Sequence, residues 1–350
     1  MTFAFIAFFL GLAAGNFACR AIDRLPVDDE FHYQIFSAED DAEPPEWWMR
    51  IPFIWVFRNP PNGQKMRWFD RLPLLPHFIY SWKFSSFRRM AFPARCAHCH
   101  HRLSFREQIP VWSFIQQSGR CLHCRIKIPA RHPLVELTCG ALFALFGWRF
   151  GPTWLFVIMA AMIVSFVIGS VIDWRYQIIP DEVNSLMLVL TVAWVAITQL
   201  SHSVGLLRDS SLAHLEGYPY VYSSLDLVHG LLGILAGAGA LYLFAEFGGM
   251  LARTDAMGGG DVKLAGYIGA LVGWQGALGT IFYAALIAAP CGLFLLILGR
   301  GKKEGGFTKF AFGPYLCAAA ALILYFGHGA MFDAYLGINN RVVSALAGVN

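Results

Sequence analysis

Between Leu264 and Gly299 the chain runs for 36 residues without one charged side chain. An α-helix rises about 1.5 Å per residue and the hydrocarbon core of a bilayer is roughly 30 Å thick, so about 20 apolar residues make one crossing and this run is too long for one. The turn-forming group Gly273, Trp274, Gln275 and Gly276 divides it. Comparable runs recur, and eight spans are expected at 3–19, 133–150, 152–172, 183–201, 227–248, 258–274, 276–299 and 310–328. Composition agrees: 57% hydrophobic against 14% charged residues, with a mean hydropathy of +0.51, excludes an ordinary soluble globule. The expected fold class is an all-α polytopic membrane protein.

The net charge of +4 says less than its distribution, because 17 of the 27 Lys and Arg fall between Arg20 and Arg131. Lys and Arg in short loops mark the cytosolic side. Arg300, Lys302, Lys303 and Lys309 place the loop between the last two spans there, and alternation puts Arg175 and Arg253 on the same side. The start of the chain is then outside and the segment from Arg20 to His132 cytosolic. Phe3 to Cys19 has neither the basic start of a secretory signal nor a clear A-x-A site, and reads as a retained span. The expected domains are a first span at 1–19, a cytosolic domain at 20–132, a seven-span membrane domain at 133–328 and a tail at 329–350. Residues 27–90 mix an acidic patch, Glu39 to Glu46, with aromatic and basic stretches such as Trp47-Trp48-Met49-Arg50. In a membrane protein such stretches anchor to the lipid interface, so lipid is the expected partner and nucleic acid is not.

Four of the eight cysteines form two pairs, Cys96 with Cys99 and Cys121 with Cys124, as CAHC and CLHC. Each CxxC turn directs two thiolates at one point, and two such turns complete a tetrahedral sulfur shell. Zinc is the expected ion and iron suits the same ligands. His98 and His123 sit inside the turns, but four thiolates already close the shell, so the role is structural. A redox dithiol is the weaker alternative. Cys19, Cys139, Cys291 and Cys317 lie in apolar runs and read as small packing residues.

Ionisable groups near membrane depth are costly and point to function. Asp173 ends the charge-free run from Pro152 to Ile172, at the expected cytosolic mouth of its span. Asp181 follows Ile178-Ile179-Pro180 at the start of the next span, where a carboxylate caps a helix. Asp261 lies in Met257-Gly258-Gly259-Gly260-Asp261-Val262-Lys263, one to two turns inside the expected boundary. The three glycines let the backbone unwind or another chain approach closely. They match no phosphate-binding loop, and a carboxylate at the end would repel phosphate. Asp173 and Asp261 both occupy cytosolic ends of spans, so helices can bring them together. Two adjacent carboxylates cannot both ionise easily and one keeps its proton. Such a pair can hydrolyse a peptide: the ionised member activates water and the neutral one polarises the carbonyl. From these residues alone a proton-coupled transporter fits as well as a protease.

The order of motifs resembles that of type IV prepilin peptidases, bacterial inner-membrane enzymes that mature type IV pilins and type II secretion pseudopilins. The resemblance is carried by Gly11-Leu12-Ala13-Ala14-Gly15-Asn16-Phe17 with Arg24-Leu25-Pro26, the two CxxC pairs with Ile109-Pro110 and Gly119-Arg120 between them, and Pro133-Leu134-Val135-Glu136. It continues through Asp173, Ile179-Pro180-Asp181, the GGGDVK segment and Phe312-Gly313-Pro314-Tyr315-Leu316. It implies that Asp173 and Asp261 are the catalytic pair, supported by Asp181, Gly258, Gly259, Gly260 and Lys263. It further implies leader cleavage at the cytosolic face and, in the bifunctional members that carry the cysteine domain, methylation of the new amino terminus from S-adenosylmethionine. The stretch from Pro26 to Cys96 and the outer loop from His202 to Leu225 are longer than the family usually has; His100 and Ala311 stand where Gly and Pro are frequent.

Overall fold

The computed structural model describes residues 2–38, 96, 98–99, 101–203, 227–252, 258–297, 302–304, 307–309, 311–327, 329–333, 335 and 337. The aromatic and acidic insert over 39–95, His100, the loop from 204 to 226, Arg253, Met257, Arg300 and the end of the tail lie outside the described residues.

The architecture is helical, as the apolar runs require: α1 (Thr2–Ala38), α2 (Trp112–Gln116), α3 (Arg131–Phe150), α4 (Trp154–Tyr176), α5 (Asp181–Ser203), α6 (Leu227–Ala252), α7 (Gly259–Ile297) and α8 (Gly313–Phe326). Among the described residues five helices are long and apolar enough to cross a membrane, and two shorter apolar stretches, Glu182–Ala196 and Gly313–Phe326, accompany them. The two spans expected on either side of Gly273 are two helices that meet there, at a non-helical φ of 72° and ψ of 175°, and together make up α7. That left-handed φ suits a residue without Cβ, so the cut falls where the sequence places it. α1 overruns its expected end at residue 19, continuing past Pro26 to Ala38. Hydropathy marks where a chain leaves the apolar layer, which need not be where its helix stops. A two-stranded hairpin, Lys302–Glu304 (β1) paired antiparallel with Phe307–Lys309 (β2), lies between α7 and α8.

α4 is the most enclosed of the candidate spans. It contacts α1, α3, α5 and α8, while α6 packs most extensively on α7 and α1 on α3. Aromatic side chains fill the centre: Phe156 of α4 meets Phe3 of α1 edge-on at 5.1 Å and Phe143 of α3 at 5.9 Å, and Phe146 meets Tyr325 of α8 at 5.6 Å. Lipid removes the usual hydrophobic drive between helices, so close backbone contact through small residues supplies the adhesion. A Cβ on Gly233 of α6 would fall on the Gly269 carbonyl oxygen of α7, and one on Gly237 on that of Ala265. In the α1–α3 pair a Cβ on Gly11 would lie 2.6 Å from the Cys139 carbonyl oxygen, and one on Gly15 would lie 2.5 Å from the Glu136 Cα.

A buried hydrogen-bonded seam ties the cysteine segment to this bundle. Glu136 of α3, 6% exposed, accepts from the Val111 N–H at 2.7 Å and from Asn16 Nδ2 of α1 at 3.1 Å. Asn16 Nδ2 also donates to the Gln108 carbonyl at 3.3 Å. Nearby, Asp23 of α1 accepts from Arg131 and lies 3.0 Å from His132 Nε2. Truncating one member of such a network leaves its buried partners unpaired, at about 1–3 kcal/mol for each stranded group. Glu136→Ala is therefore expected to raise the rate of limited proteolysis within residues 101–130.

Candidate active site

Asp173 lies in the last turn of α4. That helix ends in a left-handed Gln177, φ 59°, whose N–H donates to the Asp173 carbonyl at 2.8 Å. Ile178, Ile179 and Pro180 then turn the chain, and the Pro180 carbonyl accepts the Val183 and Asn184 N–H groups of α5. Asp261 is the third residue of α7. Gly313 opens α8, and Pro314 after it supplies the preset backbone angle of a first helical turn.

These three helix ends meet. Asp173 and Asp261 are 4% and 7% exposed. The Gly313 N–H donates to Asp173 Oδ2 at 3.0 Å, across 140 positions of sequence. A Cβ on Gly313 would lie 2.7 Å from Asp173 Oδ2 and 3.2 Å from Asp261 Oδ1. Both carboxyl groups thus converge on one small region against a bare Cα. Among the described residues Asp261 Oδ1 is buried without a hydrogen-bond partner. A buried polar atom left unpaired costs stability, and a catalytic role or a bound water accounts for one.

The other expected site residues fall around this point in different ways. Gly260 packs on Ile179, where a Cβ would come within 3.0 Å of the Ile179 Cβ, so the α4–α5 turn rests on the start of α7. Gly258 and Gly259 are exposed and, among the described residues, face open space. Lys263 is half-buried two positions beyond Asp261. Asp181 is the first residue of α5, and its side chain lies outside the described residues. Gly313 is legible in sequence as part of the Phe312-Gly313-Pro314-Tyr315-Leu316 stretch that carries the resemblance, but nothing local announces that two aspartates far upstream press on it.

The Sγ atoms of Cys96, Cys99, Cys121 and Cys124 all lie within 4.8 Å of one another, and those of Cys96 and Cys124 are 3.9 Å apart. A tetrahedral zinc with bonds near 2.3 Å needs sulfurs about 3.8 Å apart, so the four thiols fit the ion closely. The turns that present them are tied by Cys96 N–H to the His101 carbonyl, 2.9 Å, and Cys121 N–H to the Ile126 carbonyl, 3.0 Å. Burial pushes the Cys96 thiol up, but hydrogen bonds from the Cys99 and His98 N–H groups and neighbouring thiols outweigh it and bring it down to about 7. The rings of His101 and His123 stack on one another, 4.9 Å between centroids.

Two family models match the chain: the Bacterial Peptidase A24 N-terminal domain over residues 9–150 and the Type IV leader peptidase family over 160–293. The first covers the seam and the cysteine segment, the second Asp173 and Asp261. A prepilin leader peptidase/N-methyltransferase from Stutzerimonas stutzeri is 29% identical over 330 residues, 93% of this chain and 92% of that one. The protein of the same name from Pseudomonas aeruginosa is 32% identical over 232 residues, 66% of this chain and 71% of its own. A type 4 prepilin-like proteins leader peptide-processing enzyme from Escherichia coli is 30% identical over 66% of this chain and 75% of its own length. No solved structure matches the chain.

Proposed function

Since the chain belongs to the type IV leader peptidase family and is a membrane peptidase, we propose that it removes the leader of type IV prepilins or type II secretion pseudopilins, with Asp173 and Asp261 as an aspartic catalytic pair. The observation that supports this reading most is the convergence of both buried carboxyl groups on the Gly313 Cα. One carboxylate takes a proton from a water, the other carboxyl donates a hydrogen bond to the scissile carbonyl, and the activated water attacks. The proton passes to the leaving amine as the tetrahedral intermediate collapses. Gly258 and Gly259, with open space where side chains would stand, leave room for an extended substrate backbone beside Asp261.

The work is done at the cytosolic face of the bacterial inner membrane. Asp173 closes α4, Asp261 opens α7 and Gly313 opens α8, so all three belong to one side of the bundle. Arg175, Lys302, Lys303 and Lys309 lie on that same side, and excess Lys and Arg mark the cytosol. The apolar helices make eight crossings, counting α7 as two. Cys96, Cys99, Cys121 and Cys124 hold one structural zinc in a cytosolic domain.

Methylation of the new amino terminus from S-adenosylmethionine is proposed from the relatives' name, and none of the residues described around Asp173 and Asp261 supplies methyl-transfer chemistry. Coexpression with a candidate prepilin, followed by the mass of the product's amino terminus, tests both activities in one spectrum. The expected product has lost its leader and gained one methyl group. Uncut precursor with every candidate would reject the peptidase reading for those substrates, and a cut but unmethylated terminus would limit the chain to cleavage.

A further inference from the structure

Resting on the peptidase reading above, we infer that Gly313 is a positioning residue of the reaction: its N–H orients Asp173, and its lack of a side chain lets Asp173 and Asp261 close on one another. The Gly313 N–H, one of the first-turn amides of α8 that has no partner within its own helix, donates to Asp173 Oδ2 at 3.0 Å. That single bond fixes one carboxyl oxygen and leaves the rest of the group to face Asp261.

The second role is steric. An added Cβ would sit 2.7 Å from Asp173 Oδ2, 3.2 Å from Asp173 Cγ and 3.2 Å from Asp261 Oδ1, and nothing else ranks among its three nearest atoms. The backbone does not demand glycine here, since Gly313 is not among the residues with positive φ. The cost of a methyl group at this place therefore falls on the two carboxyl groups. Gly313 lies on α8, Asp173 on α4 and Asp261 on α7, so one helix sets the separation of a pair carried by two others. Displacing a reacting group by about 1 Å can cost on the order of a hundredfold in rate.

The test compares wild type with Gly313→Ala in purified, membrane-inserted full-length protein, using a prepilin substrate. The expected result is a fall in kcat of about a hundredfold with KM within about twofold of wild type. The pH profile of the residual cleavage should also be displaced, because the two carboxyl groups no longer share the same geometry. A merely structural defect would reduce the active fraction and leave the profile where it was. Wild-type kcat, or a reduced rate on an unmoved profile, would overturn the inference. Should Gly313→Ala fail to insert or melt far below wild type, Asp173→Ala in the same chain removes the nearer obstruction and should restore the melting temperature; no restoration also overturns it. The peptidase reading fails separately, if Asp173→Asn and Asp261→Asn still cleave. Loss of cleavage in those variants with normal Gly313→Ala turnover would sink the positioning role alone.

Discussion

Asp173→Asn and Asp261→Asn are each expected to lower leader cleavage by at least about a thousandfold, the range in which loss of a general acid or base falls. The substitution preserves size, and at the first position the new amide oxygen could still accept the Gly313 N–H, so folding should survive. What is lost is the ability to hold or release a proton at the point where both side chains converge. Both variants should therefore insert normally, keep their metal and melt near the wild-type temperature. Asp181→Asn provides the contrast. If that residue only caps α5, its change costs little stability, because Asn caps about as well as Asp, and leaves the chemistry in place. A rate for Asp181→Asn as low as for the other two would place Asp181 in the reaction and end its assignment as a cap.

The second large effect concerns the metal. Purified protein is expected to carry about one zinc per chain, and Cys→Ser at position 96, 99, 121 or 124 to reduce that to near none, since a shell of three thiolates no longer closes the site. Among the described residues, and apart from the seam at Glu136, the fold around the cysteines has little else to sustain it: α2 is five residues long, the turns are held by a few backbone bonds, and Phe105, Trp112 and Ile115 are exposed. Structural zinc supplies roughly 10 kcal/mol in small modules, more than such a segment could lose and stay folded. Proteolysis should then cut within residues 101–130 while the membrane helices remain intact. Elemental analysis checks the first half of this expectation. Less than about half an equivalent of zinc plus iron in the wild type would remove the metal site.

Sequence exposes these two sites far better than the contacts that serve them. The cysteine pairs are legible because their geometry is local, two turns of four residues each. Asp173 and Asp261 are legible because charge is scarce in apolar runs and stands out wherever it occurs. Gly313 and Glu136 each lie in a stretch that carries the resemblance, but their contacts are not legible there, since these depend on partners far along the chain: Asp173 is 140 residues from Gly313, and Asn16 is 120 from Glu136. Helix bounds divide in the same way. The break at Gly273 is visible from a run too long for one crossing, whereas the extension of α1 to Ala38 follows the end of its apolar stretch at Asp23, where hydropathy carries no information about helix length.

The most direct test of the central claim, that two carboxyl groups act as one catalytic unit, is the cleavage rate of the Asp173→Asn, Asp261→Asn double variant beside the two single variants. Members of one unit are not additive, so the double variant should be no more than a few times slower than either single one. Losses that multiply, or a correctly inserted single variant that processes its precursor at near the wild-type rate, would contradict the account.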